Sequence, residues 1–230
     1  MTPERVLPSG SLLEVDGELA AMLRGASDVP EVPVPMRCVG RGPWQPSAQL
    51  RQTLCLLVVD GLILRSVDAE GVTSLVLHGP GDLIDMRGPA DSETWMVRRA
   101  ATLAAIDGRV VGVARMHPPL LVALLRRMQS GQRGAEVMAA IARMTRVNER
   151  LLALMRHFAD RWGKVALTGI TVDLPLTHSE FAALIGAQRP TVTLAISQLA
   201  AEGVLTRHGS GQWIVQTVEE ERFERGAPVS

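Results

Sequence analysis

The segment from Leu176 to Val215 constrains the fold of this chain most strongly, because its local signals follow one another in the order of a helix-turn-helix with a wing. Thr177 and Glu180 have the spacing of a capping box, which predicts that a helix begins there. Gly186 can end this helix in the left-handed conformation, and Pro190 is tolerated in the first turn of a second helix. The short turn between the two helices is typical of a helix-turn-helix.

The second predicted helix has an apolar face and a polar face. At 100° per residue the apolar face consists of Val192, Ala195, Ile196 and Leu199, and Gly203 ends the helix. The opposite face and the leading end, which a recognition helix points at base edges, carry Gln188, Arg189, Pro190, Thr193, Leu194, Ser197 and Ala201. Residues 204–207 and 212–215 then flank the turn residues 208–211, which predicts a hairpin. A purely structural helix pair is the alternative, but the order of these signals favours DNA as the ligand.

At this point the segment resembles the DNA-binding domain of the Crp–Fnr family of bacterial transcription regulators. The residues that carry the resemblance are Leu176, Thr177, Gly186, Arg189, Thr191, Val192, Leu199, Glu202, Gly203, His208 and Gly209. The family's usual run Ser-Arg-Glu-Thr-Val-x-Arg reads Gln-Arg-Pro-Thr-Val-Thr-Leu at residues 188–194, so the first Arg is retained, whereas the Glu and the second Arg are not. Because Arg reads guanine and Glu accepts from cytosine, we expect an operator unlike that of the best-known members.

The expected DNA contacts divide into one that reads sequence and several that position the protein. We expect Arg189 to read a base, whereas Ser179, Thr191 and His208 contact phosphates. Leu194 either touches a thymine methyl group or packs within its own chain. The resemblance implies phosphate contacts for His208 and Ser210 on the wing, where ordinary turn polarity is the alternative. The complete set of expected DNA-binding residues is Thr177, Ser179, Gln188, Arg189, Pro190, Thr191, Thr193, Leu194, Ser197, His208 and Ser210.

The first half of the chain has the pattern of a small antiparallel barrel or roll. Short apolar or alternating runs at residues 54–59, 62–67, 72–77, 94–99 and 103–106 predict strands, separated by turn signals at 60–61, 68–71 and 79–82. Residues 12–24 predict one short amphipathic helix, which an extended, proline-rich entry follows. The loop at residues 79–82 predicts a tight turn, because no Lys-Ser/Thr pair follows it as in a phosphate-binding loop.

The resemblance extends to this half, where residues 59–61 and the sequence GPGDL at 79–83 resemble the jelly roll of a cyclic-nucleotide-binding domain. Family members that bind cyclic AMP hold its ribose with a Glu and its cyclic phosphate with Arg-Ser. The corresponding residues here are Asp85, Met86, Arg87, Glu93 and Thr94. Methionine is a weak acceptor and Glu93 would repel a phosphate, so the resemblance implies a degenerate nucleotide pocket in which only the Thr94 hydroxyl is suitable. Arg87, Arg98 or Arg99 could compensate for the missing cation.

A long helix after residue 117 carries apolar and small residues in alternating steps of three and four. This spacing predicts the seam of a two-stranded coiled coil, and the Crp–Fnr family dimerises through such a helix; packing within one chain is the alternative. The predicted seam consists of Leu121, Leu124, Met128, Gly131, Ala135, Met138, Ala142 and Thr145. Gly131 and Gly134 predict a bend or weak point, because each lowers helix propensity by about 1 kcal/mol relative to Ala.

These observations predict an α+β protein of several parts. They are a cyclic-nucleotide-binding-like β-roll sensory domain at 1–116, a dimerisation helix at 117–145, a winged helix-turn-helix at 146–218 and a tail at 219–230. We expect a homodimer that reads a two-fold symmetric site in double-stranded DNA. The resemblance also implies RNA polymerase as a partner.

Composition and motif spacing exclude several other classes of protein. Cys38 and Cys55 are too few for a disulfide framework or an iron–sulfur cluster, and the five histidines lack metal-ligand spacing. No apolar run reaches the roughly 20 residues that span a bilayer, and the first ten residues lack the basic region and apolar core of a signal peptide, so we expect a cytoplasmic protein with no membrane partner. We expect neither an enzyme nor a cofactor; haem ligation by His78 is the alternative to a surface histidine at a strand end.

Three functional hypotheses follow from the sequence. The first is a DNA-binding regulator without a cyclic-nucleotide site. The second is the same fold with a different small effector, which converging arginines in a pocket would favour. The third is a protein-interaction adaptor without DNA binding, which Pro190 and the formal net charge of +0 allow but Arg189, Thr191 and Thr193 disfavour.

Overall fold

The computed structural model describes residues 1–24, 26, 29–70, 72–86, 93–167 and 169–216. In the first half the strands are β1 Glu4–Ser11, β2 Pro33–Val39, β3 Gly42–Trp44, β4 Cys55–Ala69, β5 Val72–His78, β6 Leu83–Asp85 and β7 Glu93–Ile106. The helices of this half are α1 Leu12–Val15, α2 Gly17–Met22 and α3 Ala48–Arg51. The second half contains α4 Gly108–Met116, α5 Pro118–Arg143, α6 Val147–Trp162, β8 Lys164–Ala166, β9 Gly169–Asp173, α7 His178–Leu184, α8 Arg189–Ala201, β10 Leu205–His208 and β11 Gln212–Val215. The predicted α+β class is confirmed.

The first half forms an antiparallel β-roll. Its strands pair in the order β1-β2-β7-β4-β5, with β3 on β7 and β6 on β4. Two predicted strand pairs are in fact single long strands, because residues 55–67 belong to β4 and residues 94–106 to β7. Asp60-Gly61 is a bulge in β4, where the register with β7 shifts, and not a turn. Gly61 has φ +101, and a Cβ there would lie 2.4 Å from Ala101 Cα.

The N-terminal segment also differs from the prediction. Residues 12–24 form two short helices, because Asp16 leaves the helical conformation and caps α2 by accepting from the Leu19 amide at 3.0 Å. Asp16 is buried and bonds the buried Arg127 of α5 at 3.0 Å, which fixes α2 against the long helix. Strand β1 was not predicted, because Pro8 and Gly10 interrupt its alternation and its register with β2 shifts between Leu7 and Gly10.

One hydrophobic core is shared between the two halves. Leu62, Leu64 and Leu77 of the β-roll belong to the same buried cluster as Phe158 of α6 and Phe181 of α7. A second cluster fills the roll interior around Trp44 and Trp95, and a third packs α1 and α2 against β2, α4 and α5. The second half of the chain is therefore packed against the β-roll rather than tethered to it.

Helix α5 continues through Gly131 and Gly134 and ends at Arg143. Its C-cap residue Met144 is extended, so Thr145, predicted to lie in the seam, is beyond the helix. No helix in the described part of the chain is long and apolar enough to cross a membrane. The predicted tail at 219–230 lies outside the described residues.

Candidate nucleic-acid interface

The predicted capping box at the start of α7 is confirmed. The Thr177 hydroxyl accepts from the Glu180 amide at 3.3 Å, and the Glu180 carboxylate accepts from the Thr177 amide at 2.7 Å. Gly186 has φ +62, as predicted for the residue that ends this helix. The local sequence therefore fixes the orientation of α7 relative to α8, since both ends of α7 are specified.

Helix α8 buries one face and exposes the other, as its periodicity predicts. Val192, Ala195 and Leu199 are buried, and Ile196 is half-buried. The residues that remain exposed on α8 and at its N-cap are Gln188, Arg189, Pro190, Thr191, Thr193, Leu194, Ser197, Gln198, Ala200 and Ala201. Leu194 is 58% exposed, so it does not pack within its own chain and can contact a base. The exposed face is the one that a recognition helix presents to a DNA groove.

Several hydroxyl groups of the recognition face are held by the protein itself. The Thr193 hydroxyl donates to the Arg189 carbonyl at 3.0 Å and lies 2.9 Å from His178 Nδ1. Because a hydroxyl has one proton, His178 Nδ1 donates this second bond. Burial and the nearby guanidinium groups of Arg207 and Arg189 lower the pKa of His178, which keeps its ring neutral. Ser197 likewise donates to the Thr193 carbonyl at 3.1 Å.

The predicted wing is present as the hairpin of β10 and β11, shifted by one residue so that His208 pairs with Gln212. It belongs to a sheet of order β10-β11-β9-β8, of which β8 and β9 were not predicted. Trp213 of β11 is buried edge-on against Phe181 of α7, with ring centroids 5.6 Å apart, and donates to the Leu174 carbonyl at 3.2 Å. This contact fixes the wing against the helix-turn-helix, and His208 and Ser210 are exposed at its tip.

A cleft of about 610 Å³ gathers part of the predicted site. Four of the residues that line it were predicted to bind DNA, namely Thr177, Ser179, Arg189 and Ser210. Three further arginines line it that the sequence did not assign to DNA, namely Arg41, Arg98 and Arg207. Arg41 and Arg98 belong to the β-roll, and no local pattern could have found them, because they are distant in sequence from the helix-turn-helix. Arg207 lies on the predicted wing, so its place in the hairpin could have identified it as a DNA-binding candidate.

The residues of the predicted nucleotide pocket lie in different environments. Met86 is 3% exposed and belongs to the core of the roll interior, whereas Asp85 is exposed. Glu93 is 6% exposed and forms ion pairs with Arg65 and, at 3.7 Å, with Arg51. Thr94 is exposed next to the buried Glu93 and Trp95, so its hydroxyl is on the outer face of β7, contrary to its expected role. Arg87 lies outside the described residues.

Arg98 and Arg99, the two other arginines that could supply the missing cation, form ion pairs elsewhere. Arg98 pairs with Glu180 of α7, and Arg99 pairs with Asp60 at 3.1 Å and Asp173 at 3.6 Å. Both arginines therefore face the DNA-binding half rather than the roll interior. His78 ends β5, and burial with the charges of Arg65 and Arg161 lowers its pKa to about 3. No group of three His, Cys, Asp or Glu side chains that could hold a metal occurs among the residues described.

The exposed apolar residues of α5 coincide only in part with the predicted seam. Leu121 and Leu124 pack partly against the N-terminal core, and Met138 packs against the core shared with α6. These side chains have partners in their own chain that helical spacing alone does not reveal. The large apolar residues of α5 that remain exposed are Val122, Leu125, Met128 and Val137, and the predicted small residues Gly131, Ala135 and Ala142 are also exposed or half-buried.

Comparison with known proteins agrees with this architecture. Residues 136–222 match the model of the Crp-like helix-turn-helix domain. The regulatory protein CysR of Synechococcus elongatus is 28% identical over 188 residues, which cover 77% of this chain and 83% of that protein.

Two solved structures with the same fold are a CooA mutant from Carboxydothermus hydrogenoformans and a transcriptional regulator of the CRP/FNR family from Thermus thermophilus. The first has a TM-score of 0.62 at 15% identity and covers 93% of this chain and 94% of that one. The second has a TM-score of 0.51 at 21% identity and covers 79% and 93%. The domain match identifies residues 136–222 as a Crp-like helix-turn-helix domain, and the chain as a whole shares the fold of these two structures and is similar to the regulatory protein CysR.

Proposed function

We propose that this protein is a transcription regulator that binds double-stranded DNA as a homodimer and does not respond to cyclic AMP. The observation that carries DNA binding is the exposed face of α8, where Arg189 heads a helix whose opposite face is buried. An outward row of polar side chains has no packing role, but it has the donors that read base edges and phosphates. The resemblance supports action in the cytoplasm through RNA polymerase, and the relatives named above are regulators rather than enzymes.

Selection from genomic DNA tests this function directly. Random genomic fragments are incubated with the purified protein, and retained fragments are sequenced and tested in gel shifts against unselected fragments of equal length. We expect enrichment of a two-fold symmetric sequence with half-sites about one DNA turn, roughly 34 Å, apart. If no fragment is retained above background at low salt, the protein is an adaptor that kept the fold without DNA binding.

The exposed side chains of α5 support the homodimer. Beginning at Leu125, steps of three and four lead through Met128, Gln132, Ala135, Ala139 and Ala142, which are exposed or half-buried. The seam that we propose therefore contains Leu125 in place of Leu124 and Ala139 in place of Met138, because Leu124 and Met138 pack within their own chain. A helix of 26 residues is about 39 Å long, so two copies can pack along this stripe, in which Gln132 is polar and the other five residues are apolar.

The interior of the β-roll supports the absence of a cyclic-nucleotide response. Trp44, Trp95 and Met86 belong to one buried cluster there, and the Glu93 carboxylate is buried beside them in an ion pair with Arg65. A cyclic phosphate would meet this carboxylate where it requires a cation. We expect dissociation constants for cyclic AMP and cyclic GMP no tighter than millimolar, and a micromolar value from titration calorimetry would overturn this part of the proposal.

A second candidate function is the sensing of a small effector other than a cyclic nucleotide by the roll. Arg51 and Arg65 converge on Glu93, and the Arg51 Nη1, Arg51 Nη2 and Trp95 Nε1 groups have no hydrogen-bond acceptor among the described residues. Buried donors without acceptors are uncommon, and a neutral effector with acceptor oxygens would satisfy them without repulsion from Glu93. Native mass spectrometry of the purified protein tests this candidate. A bound small molecule that is absent from Arg51→Gln supports it, and a ligand-free wild-type spectrum contradicts it.

A further inference from the structure

The cleft beside the recognition helix has an unusual charge. Four arginines line it, Arg41 and Arg98 from the β-roll and Arg189 and Arg207 from the DNA-binding half. Among the residues that the structure describes, no acidic side chain lines it. The whole chain has 24 basic and 24 acidic residues, so this concentration of one sign does not follow from composition.

The four arginines differ in their partners. Arg98 is paired with Glu180, and the Arg207 guanidinium lies over the Trp213 ring, 5.3 Å from its centroid. Arg41 and Arg189 form no ion pair within the described ranges of the chain. The hydroxyl groups of Ser179 and Ser210 add neutral donors to the same cleft, whereas the Thr177 hydroxyl donates to Glu180 at 2.9 Å. The guanidinium groups of Arg41 and Arg189 together with the two serine hydroxyls are suited to an anion with several acceptor oxygens.

The position of Arg41 is fixed relative to the recognition helix. Arg41 lies in the turn between β2 and β3, where the Thr2 amide donates to the Pro43 carbonyl at 2.8 Å. The Arg98–Glu180 pair and the shared core join the roll to α7. The turn therefore presents the Arg41 guanidinium, at the end of a flexible side chain, beside the leading end of α8.

We propose that the β-roll takes part in DNA binding, with Arg41 contacting a backbone phosphate that lies in this cleft while α8 occupies the major groove. The inference rests on the proposed DNA-binding function and adds a contact outside the helix-turn-helix. A DNA phosphate fits better than a free small anion, because the cleft is open to solvent and lies between the helix and the wing, the elements that flank a groove edge. Sites for small ligands enclose most of the ligand surface instead.

The salt dependence of DNA binding tests the inference. Fluorescence anisotropy is measured over a salt series with two labelled duplexes of equal length, one with the selected operator and one unrelated. Arg41→Gln should weaken both duplexes by about four- to 25-fold, the combined effect of two exposed ionic contacts, one from each subunit of the dimer. It should also reduce the slope of log affinity against log salt by about 1.8, since each subunit loses one phosphate contact worth about 0.9. The ratio of specific to nonspecific affinity should not change.

Two variants serve as controls. Arg115→Gln makes the same charge change at an exposed residue of α4 outside the cleft, and it should keep the wild-type slope. Arg41→Lys keeps the charge and should keep most of the slope. If Arg41→Gln behaves as Arg115→Gln does, the inference is wrong, although the proposed function stands whenever the wild-type protein binds its operator.

Binding of inorganic phosphate tests the alternative that the cleft is a site for a free small anion. If phosphate binds the free protein and Arg41→Gln abolishes that binding without changing the DNA slope, the cleft is a small-anion site and the inference is overturned. If wild-type protein binds neither duplex, both the proposed function and this inference fail.

Discussion

Trp162 of α6 lies directly against Gly79 in the turn between β5 and β6, so closely that a Cβ atom at position 79 would come within 2.4 Å of the indole Cε2. The indole Nε1 donates to the Pro80 carbonyl at 3.1 Å, and Arg161 forms an ion pair with the buried Asp82. The first glycine of the GPGD turn is therefore required by the approach of a ring from the DNA-binding half. This turn is one of the places where α6 contacts the β-roll.

Replacing Gly79 by alanine should disturb this contact. Because the added methyl group overlaps the Trp162 ring, we expect Gly79→Ala to lower the free energy of unfolding by about 1–3 kcal/mol. Urea denaturation followed by tryptophan fluorescence measures the change. Gly112→Ala is the matched control: its Cβ meets no described atom within 4 Å in the middle of α4, so it should stabilise the protein by about 0.5–1 kcal/mol. Equal effects of the two substitutions would contradict the Trp162 contact as the cause.

Arg189 and Thr191 should have different effects on DNA specificity. We expect Arg189→Ala to weaken the operator strongly and to relax the preference at one base pair per half-site, since a bidentate contact to guanine contributes about 1–3 kcal/mol of discrimination. Thr191→Ala should weaken all sequences by a similar small factor, because a phosphate contact reads no sequence. Binding to operator and unrelated duplexes is compared at fixed salt. An unchanged specificity ratio for Arg189→Ala would make its side chain a phosphate contact and leave base reading to Gln188, Thr193 and Leu194.

A charge in the middle of α5 should separate the subunits. Met128 is 56% exposed, and in the proposed dimer a glutamate there would be buried without a partner. We expect Met128→Glu to give monomers in light scattering and to lose operator binding at the same time. Met116→Glu makes the same substitution at the end of α4, where the side chain is 80% exposed, and it should remain dimeric. A dimeric Met128→Glu protein would place the interface elsewhere.

The stability of the fold should decrease in acid because of His78. Its pKa is lowered from 6.5 to about 3 in the folded protein. Between these values the unfolded chain binds a proton that the folded protein does not, so the free energy of unfolding falls as the pH falls. Each pH unit in this window favours unfolding by up to about tenfold.

Urea denaturation at several pH values isolates this contribution. His78→Gln should flatten the pH dependence between 6.5 and about 3, whereas His208→Gln, at an exposed wing residue, should keep the wild-type slope. Burial raises the pKa of Asp82, which acts in the opposite direction and is common to all three proteins. Identical slopes for wild type and His78→Gln would show that another group carries the acid sensitivity.

Features specified by neighbouring residues could be predicted from the sequence. The capping box of Thr177 and Glu180 and the left-handed Gly186 depend on contacts within a few residues, and all are present. The amphipathic periodicity of α8 also identified its buried face, because a short helix packs on one side only. For the same reason the exposed face of α8 could be predicted from the sequence.

Features that depend on distant residues could not be predicted. Asp60-Gly61 has the composition of a hairpin turn, and only the close approach of Ala101 makes it a bulge within one strand. Leu124 and Met138 have the spacing of a dimer seam, but partners in their own chain bury them in part. Arg41 reaches the cleft through the packing of the roll against α7, a contact between residues far apart in sequence.

The three leucines of the roll that belong to the shared core also limit how the protein can move. Leu62, Leu64 and Leu77 are at most 5% exposed because the DNA-binding half covers them. A hinge that lifted this half away would expose a contiguous apolar patch to water, at a cost that increases with the area uncovered. Sliding of α6 and α7 across the same leucines would keep the patch covered throughout. Any rearrangement that changes the spacing of the recognition helices should therefore be a shear motion along this surface rather than a hinge opening.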